Sequence, residues 1–389
     1  MFGFGNAHHG KTVAVADIGG GSAGVAIVSI PKSGPSRVES LARSILPIES
    51  RSPEARAALV MGLLKEASEK AVASYAKNAN ATSSPQFEGA YAIIRAPWIR
   101  TKTARAESVL KEETLVSSAM ISKLATEALQ SDTDLDHARI LEASIVRVKL
   151  NGYPTARPER KYAHQIDASM LLSECHPWIR FSVEETLRKT FSCRAPALRS
   201  GTRAIMTVLR ESGILTKDSL VVNMTSGATN LITVRKGVVS EVEHVLEGSW
   251  TIVQRIAGSK MPEEVFSLIR LWAEDRCERE ACASIQKSMA EVEPELVKIF
   301  GEAFSKMATI RRLPNTLILL VPEDLEEWLT KFFARIDFSQ FTVTTQPFTT
   351  NVSTMKTLSN MLSYREGVVP DPGLAVASAL VNIEAHSRT

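Results

Sequence analysis

Two short stretches of this 389-residue chain set glycine and small hydroxyl residues between runs of aliphatic and β-branched residues. The first is Asp17-Ile18-Gly19-Gly20-Gly21-Ser22, between VAVADI and GVAIVSI. Glycine turns tolerate positive φ and bring backbone N–H groups close to a ligand, so such a turn is a natural phosphate cradle. Asp17 stands two residues before Gly19, where a carboxylate can hold a hydrated Mg²⁺ or order water. Ser22 can add a hydroxyl to a phosphate. The alternative reading of one such motif is a plain hairpin turn. The second stretch is Asn223-Met224-Thr225-Ser226-Gly227-Ala228-Thr229-Asn230, between LVVNM and TNLITV. Its carboxylate positions are amides, which cannot hold Mg²⁺ or polarise water as Asp17 can.

The flanking pattern predicts the elements that position these turns. Thr12 to Ile30 and Ser219 to Val234 each read as two strands joined by a tight turn, a unit that occurs twice about 200 residues apart. Duplication of a β-turn-β unit followed by helices predicts an internally repeated α/β protein. Ser52-Pro53 starts a helix whose stripe is Leu59, Val60, Leu63, Leu64, Ala67 and Val72. A polar loop, Asn78 to Gln86, precedes a small α+β module at 88–180, with strand Gly89 to Ile94, helix Ser117 to Gln130, strands Ile140 to Leu150 and Ala163 to Leu172, and an exit helix Ser182 to Thr190. Further helices are expected at Gly201 to Glu211, Pro262 to Ala308, from Pro322-Glu323, and at Pro372 to Ile383, with a buried strand at Thr316 to Val321.

Composition excludes several classes. Hydrophobic residues make up 44% and charged residues 23%, enough to bury cores. The formal charge of +3 carries no basic block, so nucleic acid is not implied. Apolar runs such as Leu374 to Val381 fall far short of the roughly 20 residues that span a bilayer. No signal-peptide core follows Met1, and the last helix is followed by only a few residues, which leaves no amphipathic tail. A cytoplasmic protein is expected. Cys175, Cys193, Cys277 and Cys282 show no Cys-x-x-Cys pair and read as buried reduced thiols.

Two glycine hairpins facing one cleft describe the nucleotide site of actin-like ATPases, and here the residues resemble that superfamily. Asp17 to Ser22 is similar to the first phosphate loop of actin, sugar kinases, FtsA and PilM. Asn223 to Asn230 takes the place of the second, and the module at 88–180 resembles the inserted domain that distinguishes FtsA and PilM from actin. Asp371-Pro372-Gly373-Leu374-Ala375-Val376-Ala377-Ser378-Ala379 resembles the last connecting helix, and Met1-Phe2-Gly3-Phe4 a common PilM start. The resemblance implies an α/β, duplicated, two-lobed actin-like (ribonuclease H-like) fold: lobe 1 at 1–87, 181–217 and 366–389, lobe 2 at 218–258 and 313–365, a helical subdomain at 259–312, and the module between. It implies ATP and Mg as cofactors, with Asp17 holding Mg through water and Asp17, Gly19, Gly20, Gly21, Ser22, Asn223, Ser226, Gly227, Ala228 and Thr229 around the nucleotide.

This chain departs from the family at the second loop and again at the adenosine loop, where Leu320-Val321-Pro322-Glu323-Asp324 replaces a glycine run with a proline and two carboxylates. Weak or no ATPase activity is therefore expected. The resemblance implies a scaffold of the FtsA/PilM type that binds a short cytoplasmic segment of a membrane protein in a pilus, secretion or division complex, peripheral to the membrane and without inserting in it. Self-association is left open. Trp98 and Trp178 of the module are candidate partner contacts. The competing reading is an active actin-fold ATPase or a sugar-kinase-like phosphotransferase.

Overall fold

A computed structural model describes residues 10–49, 51–78, 86–131, 134–352 and 358–387; the opening Met1-Phe2-Gly3-Phe4 lies outside the described residues. In chain order, lobe 1 begins with β1 (Lys11–Ile18), β2 (Ser22–Ile30), β3 (Ser36–Ile45), α1 (Pro53–Asn78) and β4 (Gly89–Ile94). The module follows as β5 (Ile99–Leu115), α2 (Ser118–Gln130), β6 (Ile140–Leu150), β7 (Tyr153–Thr155) and β8 (Tyr162–Cys175). The chain returns to lobe 1 through α3 (Pro177–Phe191), β9 (Ala197–Ser200) and α4 (Gly201–Glu211). Lobe 2 comprises β10 (Ser219–Met224), β11 (Thr229–Arg235), β12 (Val238–Val245), α5 (Ser249–Ala257), the helical pair α6 (Pro262–Ala273) and α7 (Arg279–Ile310), then β13 (Thr316–Leu320), α8 (Glu323–Phe333) and β14 (Thr349–Val352). Strand β15 (Leu362–Tyr364) and helix α9 (Pro372–His386) close lobe 1.

The duplication read from the sequence is present strand by strand. Lobe 1 has the order β15-β3-β2-β1-β4-β9 and lobe 2 the order β12-β11-β10-β13-β14. In each, the first strand pairs antiparallel with the second and parallel with the next strand beyond the hairpin. Strand β1 is buried on both faces, as expected of a central strand written almost wholly in Val, Ala and Ile. Alternate residues serve opposite layers: Ala14, Ala16 and Ile18 pack with α1 and α3, whereas Val13 and Val15 pack with α4 and α9. Of the α1 stripe, Val60, Leu64 and Ala67 are buried, but Leu59 points outward, 43% exposed. Helix α4 lies between the lobes, giving Ala204 and Val208 to the lobe 1 core and Ile205 and Leu209 to a cluster with Val221, Ile232 and Ile318 of lobe 2.

Three expectations change. Strand β4 is not part of the inserted module, because it pairs with β1 and β9 inside the lobe 1 sheet. The exit helix starts at Pro177, a favoured first-turn position for proline, and its Ile179, Val183 and Leu187 join the lobe 1 core. The module sheet, ordered β5-β8-β6-β7, therefore runs from Ile99 to Cys175, and those two residues are cross-strand partners. The cysteines differ as well: Cys277 and Cys282 form a disulfide with Cα atoms 5.6 Å apart, because the turn between α6 and α7 folds the chain back within one pair's reach. Cys175 and Cys193 are free and buried, and burial pushes the Cys175 thiol up to about 12.

Candidate functional site

The two glycine turns meet at the strand ends between the lobes. In the first, the Gly19 amide donates to Ser22 O at 2.9 Å, closing the β1–β2 turn. In the second, the Thr225 amide donates to Ala228 O at 2.8 Å. A Cβ placed on Gly20 would lie 3.0 Å from Ser226 Oγ and 3.5 Å from the Gly227 amide nitrogen, so the loops are in direct contact. The single proton of Thr225 Oγ1 lies between Ala228 O in its own loop, at 2.9 Å, and Ala96 O across the cleft, at 3.1 Å. Asp17, Gly19, Gly20, Gly21 and Ser22 thus come together with Ser226 and Gly227. Thr229 and Asn223 lie behind them in the sheet, where Thr229 Oγ1 donates to Glu247 O and Asn223 pairs with Asn230 in register.

Asp17 is 3% exposed and is held by two guanidinium groups. Arg43 on β3 donates through Nη2 to Asp17 Oδ2 at 2.7 Å, and Arg95, just after β4, donates through Nε to Oδ1 at 2.5 Å. Arg43 also reaches Asp371 at 2.5 and 2.8 Å and donates through Nη1 to Ser22 Oγ at 3.0 Å. Burial alone would raise the Asp371 carboxyl, but the hydrogen bonds and charge of Arg43 outweigh it and hold the group below the usual carboxylate range. Asp371 in addition caps α9 by accepting from the Leu374 amide at 2.8 Å. Close approach explains Gly373, where any Cβ would collide with Asp17 Oδ2.

The remaining wall is aromatic. Trp250, on α5, lies over Gly21 so closely that a Cβ there would overlap its six-membered ring. Trp98 is 7% exposed and donates through Nε1 to Gly19 O at 2.6 Å. It therefore supports the first loop from inside and, nearly buried, leaves little of its surface to a partner. Trp178 is 44% exposed on α3. At the adenosine-loop position, Pro322 precedes α8 and Asp324 pairs with Arg270 of α6 at 3.1 Å.

These residues do not fit a bound Mg-nucleotide. The carboxylate that the cation needs is engaged by Arg43 and Arg95, the hydroxyl of Ser22 accepts from Arg43, and the Trp250 ring packs against Gly21. Among the described residues no group of three or more His, Cys, Asp or Glu could hold a metal ion, and no helix is long and apolar enough to cross a membrane. Sequence reasoning missed Arg43, Arg95 and Trp250. Arg95 alone left a signal, as a charged residue directly after the buried strand AYAII, at the carboxyl end of a strand where α/β sheets place their sites.

Among solved structures, a PilM-PilN type IV pilus biogenesis complex is similar over 96% of this chain and 98% of its own, at 14% identity and a TM-score of 0.57. The ethanolamine utilization protein EutJ from Carboxydothermus hydrogenoformans is similar over 95% and 88%, at 11% identity and a TM-score of 0.43. A protein of Bacteroides thetaiotaomicron with actin-like ATPase fold and unknown function is similar over 95% and 96%, at 7% identity and a TM-score of 0.38. No family model and no curated protein matches the chain. The resemblance drawn from the two glycine loops is borne out at the level of fold: this chain has a two-lobed actin-like architecture similar to that of PilM.

Proposed function

We propose that this chain is an actin-fold scaffold of the FtsA/PilM type, which binds a short segment of a membrane protein in a pilus, secretion or division complex and turns over little or no ATP. The observation that carries this reading is the module Ile99 to Cys175, set into lobe 1 with both ends side by side, together with the groove it forms there. That groove, of about 400 Å³, lies between β6 and β8 of the module, α4 and α9 of lobe 1, and the start of β12 in lobe 2. Val146, Leu171, Met206, Val239 and Leu380 give it an apolar floor, with Arg203 and Glu384 paired at its rim at 3.1 Å. Apolar side chains of an extended or helical peptide gain most of their binding energy from such a floor. A larger cavity, about 810 Å³, lies between the module and β12, but its walls carry ion pairs such as Arg100–Glu174 and Lys306–Glu243. The similar solved structure is of PilM together with PilN, which supports a partner of this kind.

The test uses two variants of the tagged full chain in the cells that make it. In the first, residues 100–174 are replaced by a short linker joining Ile99 to Cys175, which keeps β4 in the lobe 1 sheet. In the second, Ile145→Glu places a charge at the groove edge, on a side chain already 42% exposed. Both are expected to stay folded and to leave the membrane fraction. Membrane association retained by both folded variants overturns the reading.

A further inference from the structure

Trp250 belongs to both lobes at once. Its ring packs against the apolar core of lobe 2 and against that of lobe 1, and it lies over Gly21. Its backbone is tied to the second loop, since the Trp250 amide donates to Ser226 O and the Ser249 amide to Thr225 O, each at 2.9 Å. Gly248 makes this possible: a Cβ there would lie 2.5 Å from Thr225 O and from the Ala228 nitrogen. A further bond crosses between the lobes from the Ile48 amide to Glu263 Oε1 at 2.7 Å, and Thr225 Oγ1 shares its proton between Ala228 O at 2.9 Å and Ala96 O across the cleft at 3.1 Å. In the first loop's own lobe, Asp17 and Asp371 balance Arg43 and Arg95, so the cluster has no net charge with which to draw a polyphosphate.

We propose that Trp250 and the Asp17–Arg43–Arg95–Asp371 cluster form a built-in closure of the two lobes. Protein atoms stand where the resemblance would place phosphates and cation, and the lobes hold one closed arrangement that no nucleotide tightens or releases. Any opening must withdraw an indole from two cores and break the hydrogen bonds between the lobes together, which makes closure cooperative. A phosphate group could enter only by displacing Trp250 and by competing with Asp17 for both arginines. None of the closure's residues lines the groove between the module, α4, α9 and β12, although that groove, like the closure, bridges the two lobes.

Hydrogen exchange of the full chain, read with and without millimolar Mg-ATP or Mg-ADP, tests the proposal alongside fluorescence titration with a labelled ATP. The backbone amides of Gly19 to Gly21 and of Thr225 to Gly227 are expected to be protected equally in every condition, and the labelled ATP to show no saturable binding. Trp250→Ala is expected to speed exchange in both loops by roughly tenfold or more while the β1 and β10 amides keep their protection. Should that variant fail to fold, Trp250→Phe, which keeps a ring in both cores, is expected to speed loop exchange to a smaller degree. Saturable Mg²⁺-dependent binding to the wild type, nucleotide-induced protection of either loop, or unchanged loop exchange in the folded Trp250 variants each overturns it.

Discussion

Replacing Asp17 by asparagine keeps the shape of the side chain and removes one of the two negative charges that balance Arg43 and Arg95. Arg43 retains Asp371, at 2.5 and 2.8 Å, so the cost falls on Arg95, whose other hydrogen bond is to Gly373 O at 3.3 Å. Taking one partner from a buried ion pair costs about 3–5 kcal/mol. The Asp17 side chain is 4% exposed but the two arginines are 17% and 16% exposed, which leaves water some access and favours the low end of that range. A loss of about 3 kcal/mol, at roughly 2 °C per kcal/mol for a large chain, lowers the melting temperature by about 6 °C. A phosphate-loop carboxylate that meets its cation only when nucleotide binds would behave in the opposite way, since its removal takes a lone negative charge from a cradle. Differential scanning of Asp17→Asn against the wild type, without nucleotide, separates the two. The cycle completed with Arg95→Gln and the double variant should show a coupling of about 1–3 kcal/mol. A melting temperature unchanged or raised in Asp17→Asn, or a coupling indistinguishable from zero, refutes the account of the cluster.

Three other outcomes follow from the ionisable groups and the disulfide. Asp371, held below the usual carboxylate range by Arg43, contributes stability that is complete above its unfolded value of about 3.9 and is lost as pH falls through its lower folded value, so Asp371→Asn should flatten the acid limb of a melting-temperature profile. Glu241 on β12 is pushed up to about 7 by burial and by Glu243, against the pull of Arg235 and Lys306; its stability contribution therefore falls as pH rises from about 4.3 to 7, and Glu241→Gln should melt higher than the wild type at about pH 8 and lose that slope. Thiol titration in denaturant should find two reactive cysteines of the four without reductant and all four with it, and reduction should destabilise the chain by about 2 kcal/mol, as expected for so short a loop.

The architecture was legible in the sequence because its signals are local. The hairpins Lys11–Ile30 and Ser219–Arg235 are written as aliphatic runs around a glycine turn, and the helices Gly201–Glu211 and Pro372–His386 announce themselves by the capping residues Ser200 and Asp371, the second also by a first-turn proline. The module boundary was misplaced because Gly89–Ile94 has the same strand pattern whether it joins the module or the lobe. Only its pairing with Val13 to Ile18, about 76 residues earlier, decides the matter, and pairing is not a local property. The site was half legible for the same reason. Asn223 and Asn230 showed that the second loop had lost its carboxylates, but the partners of Asp17 lie 26, 78 and, through Arg43, a further 328 residues away. Trp98 and Trp178 look alike in sequence, and only the fold turns one inward to Gly19 O and leaves the other at the surface.

What the closed cleft leaves to the fold follows from where α/β proteins put their chemistry. Ligands of such sheets sit beyond the carboxyl ends of the strands, and here those ends are filled by the chain itself: Asp17 at the end of β1 with Arg95 after β4, Thr225 after β10, and the first turn of α8 after β13. Helix α4, apolar toward both lobes, adds a second brace, because Ile205 and Leu209 must leave the lobe 2 cluster before the lobes can turn about it. The groove between the module, α4 and α9 uses Met206 and Arg203 of that same helix, so its width is set by the packing that holds the lobes together. A peptide bound there would meet a preformed surface and lose little free energy to ordering it. On the proposed reading, partner affinity is therefore independent of nucleotide and sensitive to α4. Met206→Ala, which cuts a core side chain only 8% exposed, should cost the fold about 2–5 kcal/mol and weaken peptide binding as the groove floor collapses. Binding that instead rises or falls with Mg-ATP would show that the lobes still move.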